Sequence, residues 1–263
     1  ILYPLLYTIS ISFSDSVNVA QNTVTFYPKG FNLNAYKKIL EHNQVPRAYM
    51  NTILYTTVGT VVNVFMTIIS AYPLSRKNFF GRSVYMRLIV FTMLFSGGMI
   101  PNYIIVSKLG LLDSMWALII PNAVWTFELL ILKSFFENMP NDLHESAHID
   151  GASEFTILFK IYVPLSKASL ASIALFYFMG HWNSFFIPMI YLNTMEKFPL
   201  QVILRDMLIQ NTVMNTATDD MKDMASETLK NATIFMSMVP ILLVYPFAQK
   251  YFVQGVMLGS VKG

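Results

Sequence analysis

Pro140-Asn141-Asp142-Leu143-His144-Glu145-Ser146-Ala147-His148-Ile149-Asp150-Gly151-Ala152-Ser153-Glu154-Phe155-Thr156-Ile157-Leu158-Phe159-Lys160-Ile161-Tyr162-Val163-Pro164 is polar at its start and amphipathic in its middle. It is set between two apolar runs each long enough to cross a bilayer. Asp142 is placed to cap a short helix, with Glu145 three residues on as its capping-box partner. Gly151 suits a left-handed stop after that helix. Phe155, Leu158, Phe159 and Tyr162 then recur on one face of a second helix. Pro164 is expected to end it, because a residue before proline, here Val163, is pushed out of helical geometry. The loop, residues 137–166, therefore reads as a helix–turn–helix connector at a membrane surface, offering an apolar face to a partner.

The spacing Glu145-x-Ala147-x-x-x-Gly151, then nine residues, then Ile161-x-Val163-Pro164 resembles the EAA loop of importer-type ABC permeases. Ser146 stands where a second Ala is usual, and Val163 where Leu is. Asp150-Gly151-Ala152 is similar to the form of the carbohydrate-uptake branch. In that family the loop is a coupling helix seated in a cleft of a cytoplasmic ATPase. The resemblance thus assigns coupling to Glu145, Ala147, Asp150, Gly151, Ala152 and Pro164.

The same residues carry a second pattern. His144-Glu145-Ser146-Ala147-His148 matches H-E-x-x-H, and Gly151 extends it. On a helix the two histidines would share a face and could hold zinc, with Glu145 as general base and Glu154 where a third ligand is needed. An intramembrane zinc protease is therefore the alternative function. It leaves Ile161, Val163, Pro164 and the flanking spans unexplained, and it requires a buried cleft where the sequence reads as an exposed connector.

Composition places the whole chain in a membrane. Of 263 residues, 54% are hydrophobic and 13% charged, and the mean hydropathy is +0.49; soluble domains are more polar. The formal charge of +3 argues against a nucleic-acid partner, and the absence of Cys excludes disulfides, zinc–thiolate sites and thiol catalysis. The 17 Met and 21 Phe read as lipid-facing and interhelical packing.

Charge-free runs mark the spans. The second lies between Arg47 and Arg76, the third between Arg87 and Lys108, the fourth from Asp113 to Lys133 with Glu128 inside it. The fifth lies between Lys167 and Glu196, the sixth between Lys230 and Lys250. Each is at or near the ~20 residues that cross a bilayer. Ile1–Ser14 is shorter and opens without Met or a basic flank, so we expect no signal peptide but the outer part of a first helix, truncated here. The expected fold is an all-α polytopic membrane protein with six transmembrane helices, one permease domain over 1–263.

Between the first two spans, Asp15–Pro46 reads as an external segment with a turn at Tyr27-Pro28-Lys29-Gly30 and a short helix over Asn34–Leu40. With the Glu145 loop inside, Lys and Arg divide nine to nine across the membrane, but Arg76, Lys77, Arg82 and Arg87 in one short loop outweigh Lys108 in the next. That places the loop in the cytoplasm. The external segment 191–232 contains Leu200–Ile209, with helical apolar spacing suited to lying along the membrane surface. Asp219, Asp220 and Asp223 lack the spacing and turn glycine of a calcium loop and read as a solvated face. Asn231-Ala232-Thr233 has the pattern of a glycosylation sequon, but it abuts a span. Phe95-Ser96-Gly97-Gly98-Met99-Ile100-Pro101 suggests close helix packing plus a proline break. No internal repeat, P-loop or other glycine-rich phosphate cradle occurs, so ATP hydrolysis is not expected of this chain, which is not read as an enzyme.

The resemblance extends beyond the loop. Phe95 to Tyr103, Leu109 to Ala117 and His181-Trp182-Asn183-Ser184-Phe185-Phe186 are similar to blocks of the MalG-type sugar permeases, in their LplC/YtcP-like branch. So is the tail 250–263, ending Gly259-Ser260-Val261-Lys262-Gly263. It implies a multi-pass permease in the cell membrane of a Gram-positive bacterium, importing a carbohydrate, an oligosaccharide. The implied partners are a second permease, two ATPase subunits that bind ATP and Mg, and an extracellular solute-binding protein. It further implies that the cytoplasmic tail reaches the ATPase through Gly259, Val261, Lys262 and Gly263. No cofactor or metal is assigned to this chain itself.

Glu128 is the single carboxylate inside a span, where burial costs several kcal/mol unless it is paired or wetted. Two readings stand: a pore-lining group meeting sugar hydroxyls, or a span-end residue near the cytoplasmic interface, five residues from Lys133. Trp125, Trp182, Asn183 and Tyr103 could stack on or bond a sugar, and packing explains them equally. The candidate pore residues are therefore Glu128, Trp125 and Asn183.

Overall fold

The computed structural model describes residues 2–41, 44–214, 227–244 and 246. Among them every regular element is helical. In chain order these are α1 (Leu2–Ser12), α2 (Ser16–Ala20), α3 (Asn34–Glu41), α4 (Val45–Ser75), α5 (Arg82–Leu94) and α6 (Met99–Lys108). There follow α7 (Trp116–Ile119), α8 (Thr126–Glu137), α9 (Asn141–Ile149), α10 (Glu154–Ile157), α11 (Val163–Leu165) and α12 (Lys167–Trp182). The last three are α13 (Phe186–Tyr191), α14 (Leu200–Met214) and α15 (Glu227–Val244).

Two of these, α4 and α15, are long and apolar enough to cross a membrane unbroken; counting each bent pair as one span brings the number to five, with α1 a shorter apolar helix. The bent pairs are α5 with α6 at 116°, α7 and its 3-10 extension with α8 at 50°, and Glu154–Leu165 with α12 at 84°. The expected second and sixth spans are thus continuous, whereas the third and fourth are broken. The third breaks at Gly98, whose φ of 87° and ψ of 175° are open to glycine alone. Close packing is not its cause, since a Cβ built on Gly98 meets nothing within 4 Å. Pro101 sits within the first turn of α6, where its missing N–H is harmless.

The chain divides into two compact units, one of Ile1–Ile53 with Asn183–Tyr245, the other containing Leu54–Trp182. In the first, Ile11, Val19 and Val24 form a small buried cluster. Ser10 donates to the Phe26 carbonyl at 2.7 Å, and Tyr36 donates to the Ser12 hydroxyl at 2.7 Å, folding the segment after α1 back onto its end. The expected helix at Asn34–Leu40 is α3. The expected surface-lying segment differs: Leu200, Val202, Ile203 and Leu204 of α14 are buried. The Leu200 N–H donates to Thr52 at 2.7 Å, and Asn51 donates to the carbonyls of Glu196 and Phe198. These bonds pull the start of α14 inward. Thr233 of the sequon pattern is buried, whereas Asp219, Asp220 and Asp223 lie outside the described residues.

The second unit has one continuous core. Ile68, Ala71, Tyr72 and Leu74 of α4, Leu129, Leu132 and Phe136 of α8, and Ile173 and Tyr177 of α12 close around Ile157, Leu158 and Tyr162 of the 137–166 loop. The loop is built into the core, not draped over it.

Candidate coupling site

α9 starts at Asn141, with Pro140 as its N-cap and no side-chain cap. The expected cap at Asp142 is therefore not formed. Pro140 begins the helix two residues early, which leaves Asp142 in the first turn, where a carboxylate favours the positive end of the helix dipole. Glu145 lies beyond the capping-box position and is exposed.

The C-terminus follows the expected geometry. Gly151 has φ 78°. Its N–H donates to the His148 carbonyl at 3.0 Å, and the Ala152 N–H donates to the Ala147 carbonyl at 3.0 Å. This pair of bonds is a Schellman motif, which satisfies carbonyls that a helix end leaves open. Ala147 and Ala152 both pack against the core cluster, so the corner is pinned on both sides. Asp150, the C-cap, is exposed.

Beyond the corner, Ser153 caps α10 by accepting from the Thr156 N–H at 3.3 Å. Residues Leu158–Tyr162 form a π-helical turn, and Val163 is helical at φ −61°, ψ −48°. The expected stop before Pro164 is absent. A proline ring in a regular helix meets the carbonyl four residues back; Pro164 instead follows the wide π turn, in the first turn of α11, and the helix continues to Leu165. The same turn re-phases the faces. Leu158 and Tyr162 point inward at 3% and 0% exposure, whereas Phe155 and Phe159 lie outward at 70% and 40%. The single apolar face expected of these four is therefore two faces.

A polar knot joins the loop to α4. Tyr72 donates to Glu154 Oε2 at 2.5 Å. His144 Nε2 lies 3.1 Å from Oε1 of the same carboxylate. Arg76 donates to the Tyr162 hydroxyl at 2.7 Å, with its guanidinium 5.5 Å and 5.3 Å from the ring centres of Tyr72 and Tyr162. Burial works to raise the Glu154 pKa, but hydrogen bonds from Tyr72 and His144, with the charges of His144 and Arg76, outweigh it and hold the carboxyl below its ordinary value. Nearby, Glu137 of α8 accepts from Arg82 of α5 and from Lys133 at 2.5 Å, and Arg82 also donates to the Leu74 carbonyl at the end of α4. A cleft of about 820 Å³ opens here, lined in part by Arg76, Lys77, Phe79, Glu137, Glu145 and Phe155.

His144 and His148 do share a face, with ring centres 6.0 Å apart. His144 is nevertheless taken up by Glu154, and among the described residues no three His, Cys, Asp or Glu groups converge as metal ligands. The protease reading gains no support.

Glu128 is 6% exposed and stands in the first turn of α8, directly after the break in the fourth span. α8 continues to Glu137, so Glu128 is not at the end of the span, and it stands in the first turn, where the positive pole of the helix favours a carboxylate. Trp125 is the N-cap residue of α8, with its ring 4.8 Å from that of Tyr177. Asn183 is exposed at the break after α12 and belongs to the other unit. Trp182 is buried and stacked on Phe178. The tail residues Gly259, Val261, Lys262 and Gly263 lie outside the described residues.

Beside Glu128 and Trp125 is a network that sequence reading missed. Asn63 donates to the Asn122 carbonyl at 2.6 Å and lies 2.7 Å from His181 Nε2. Thr67 and Tyr177 share a 2.7 Å bond, and Tyr177 accepts from the Trp125 N–H at 3.1 Å. Asn63 and Thr67, four apart in a charge-free span, were the available signal, because polar groups in a bilayer need partners. For the knot at the loop the signal was weaker: Tyr72 and Arg76 are four residues apart in the chain, but nothing in the sequence joins them to Glu154.

The chain has clear relatives among known proteins. LplC of Bacillus subtilis (strain 168) is 44% identical, with 100% of this chain and 90% of LplC covered. The polygalacturonan/rhamnogalacturonan transport system permease protein YtcP of the same organism is 44% identical over 99% of this chain and 92% of its own. A crystal structure of a bacterial ABC transporter involved in the import of the acidic polysaccharide alginate contains a chain that superposes with a TM-score of 0.86, at 36% identity, covering 95% of this chain and 90% of that one. Residues 63–258 match the family described as binding-protein-dependent transport system inner membrane component, and this chain belongs to that family of ABC importer permeases.

Proposed function

We propose that this chain is one permease subunit of an ATP-driven importer for a carbohydrate, an oligosaccharide, and that the Glu145–Pro164 loop couples closure of a partner ATPase pair to opening of the pore. The observation that carries the reading is the two-sided loop. α9 has no buried residue, and Leu143 and Ile149 on it, with Phe155 at the start of α10, are 39%, 85% and 70% exposed. Its continuation, Ile157 to Tyr162, is fixed in the core against α4, α8 and α12. A push on the outer face is thereby delivered to several helices at once, through the pinned Gly151 corner. The polysaccharides in the names of YtcP and of the alginate transporter support a carbohydrate cargo. The bias of Arg76, Lys77, Arg82 and Arg87 supports a cytoplasmic loop. ATP and Mg would then be held by the ATPase subunits, and cargo would be delivered by an extracellular binding protein.

The test is co-expression with the neighbouring permease, the candidate ATPase and the candidate binding protein, then reconstitution and a panel of glycans. A stable complex whose ATP turnover rises with one loaded binding protein is expected. Purification of this chain without any ATPase partner, and no glycan-stimulated turnover, would overturn the proposal.

A further inference from the structure

We propose that Glu154 is a positioning residue that carries movement of α9 directly into the membrane span α4, in parallel with the backbone route through Gly151 to α12. The inference rests on the reading of the loop as the coupling element. The Glu154 carboxylate is clamped between two elements that no short stretch of backbone joins: His144 on α9, at 3.1 Å, and Tyr72 near the end of α4, at 2.5 Å. An ionised carboxylate can only accept, so the Tyr72 hydroxyl donates, and the His144 proton sits on Nε2.

The α4 side of the clamp is itself braced. The Tyr72 ring meets that of Tyr162 edge-on at 5.2 Å, and Arg76 bonds the Tyr162 hydroxyl while lying over both rings. A displacement of His144 with α9 therefore loads Tyr72, and with it a 31-residue helix that is long enough to cross the bilayer unbroken. Apolar packing alone would let α9 slide along the core. Two charge-assisted bonds to one carboxylate, the Tyr72 one short, fix register as well as distance. Glu154 is also half exposed, so its side chain does not fill core volume, and its loss need not collapse the unit.

The experiment uses the complete transporter in proteoliposomes, with the loaded binding protein, and reads glycan uptake per ATP hydrolysed. For Glu154→Ala the expected result is ATP turnover within about twofold of the unaltered protein and uptake per ATP reduced at least fivefold. Tyr72→Phe, which removes one hydroxyl from an otherwise intact ring, should reproduce the loss, and Glu154→Gln, which can still accept from both partners, should restore part of it. Unchanged stoichiometry in Tyr72→Phe, or in Glu154→Ala if that variant assembles, overturns the proposal. Gly151→Asp in the same preparation separates the two levels. If it loses uptake while the Glu154 and Tyr72 variants do not, the strut is wrong and the coupling loop stands; if it also keeps full uptake, the loop reading falls and the strut with it.

Discussion

Two glycine corners in this chain have nearly the same freedom and opposite surroundings. Gly151 turns α9 into α10 at φ 78°, and Gly98 turns α5 into α6 at φ 87°. At neither would a Cβ meet anything within 4 Å. Around Gly151, however, two backbone bonds close a Schellman motif, Ala147 and Ala152 pack on the core, and Ile157 is fully buried. Around Gly98, Leu94, Phe95, Met99 and Ile100 are all exposed in this subunit, between 54% and 75%. Glycine supplies the bend in both places. What decides whether the bend can pass a force is the packing of its flanks.

The comparison is broken most severely at the supported corner. Gly151→Asp puts a side chain into left-handed backbone, at a cost of about 1–2 kcal/mol, and the pinned flanks leave no room for the corner to relax. Uptake should fall to background while the subunit still inserts and copurifies with its partners, as read by transport assay and pull-down; uptake near the level of the unaltered protein would remove the corner from the mechanism. Next in size, the two sides of the loop should separate. Ile157→Ala empties a core site and should cost about 2–5 kcal/mol of stability, seen as a lower melting temperature in detergent. Phe155→Ala, on the outer side, should leave melting unchanged and weaken copurification of the ATPase severalfold. Equal effects of the two on melting would mean the loop has no outer face.

The unsupported corner should be more forgiving. Gly98→Ala also enters a glycine-only region, at about 1–3 kcal/mol if the backbone stays put, but exposed flanks allow it to shift. Uptake should drop no more than about threefold, well short of the loss at Gly151. A loss as complete as that of Gly151→Asp would show that contacts outside this subunit pin the α5–α6 bend as firmly as the core pins the loop.

Which of these features the sequence made readable follows the range of the interaction. The Gly151 stop was legible because a helix terminus is written within a few residues. The uncharged runs likewise located α4 and α15, because hydropathy is a local property. The failures were of two kinds. Asp142 and Val163 followed local rules that neighbouring prolines overrode, Pro140 by starting α9 early and Pro164 by sitting behind a π turn. Glu154 and the Asn63–His181 pair needed three-dimensional proximity: the bond between Asn63 and His181 joins residues 118 apart in the chain. The sequence offered Glu154 only as a third zinc ligand. It does meet His144, but as half of a strut and without His148.

The smallest effect concerns that strut and sharpens the comparison, since the Gly98 corner has no counterpart to it. The Glu154 carboxyl is held below its ordinary value of 4.5, burial opposing and the bonds from Tyr72 and His144 prevailing. A group whose pKa is lowered on folding contributes stability above its unfolded value and loses that contribution as pH falls through the folded one. The groups facing it are Tyr72 from α4, Arg76 just beyond the end of α4, and His144 from α9. The side chain is 54% exposed, so solvent screens much of the gain. Melting temperature compared between the unaltered protein and Glu154→Gln should therefore differ by no more than a few degrees near neutral pH, and the difference should begin to narrow below about pH 4.5 and close once the pH has fallen through the lowered folded value, where both side chains are neutral. The Gly98→Ala variant should track the unaltered protein across the same range. A gap between Glu154 and Gln that persists unchanged into acid would mean that shape, and not the charge of the carboxylate, holds α9 to α4.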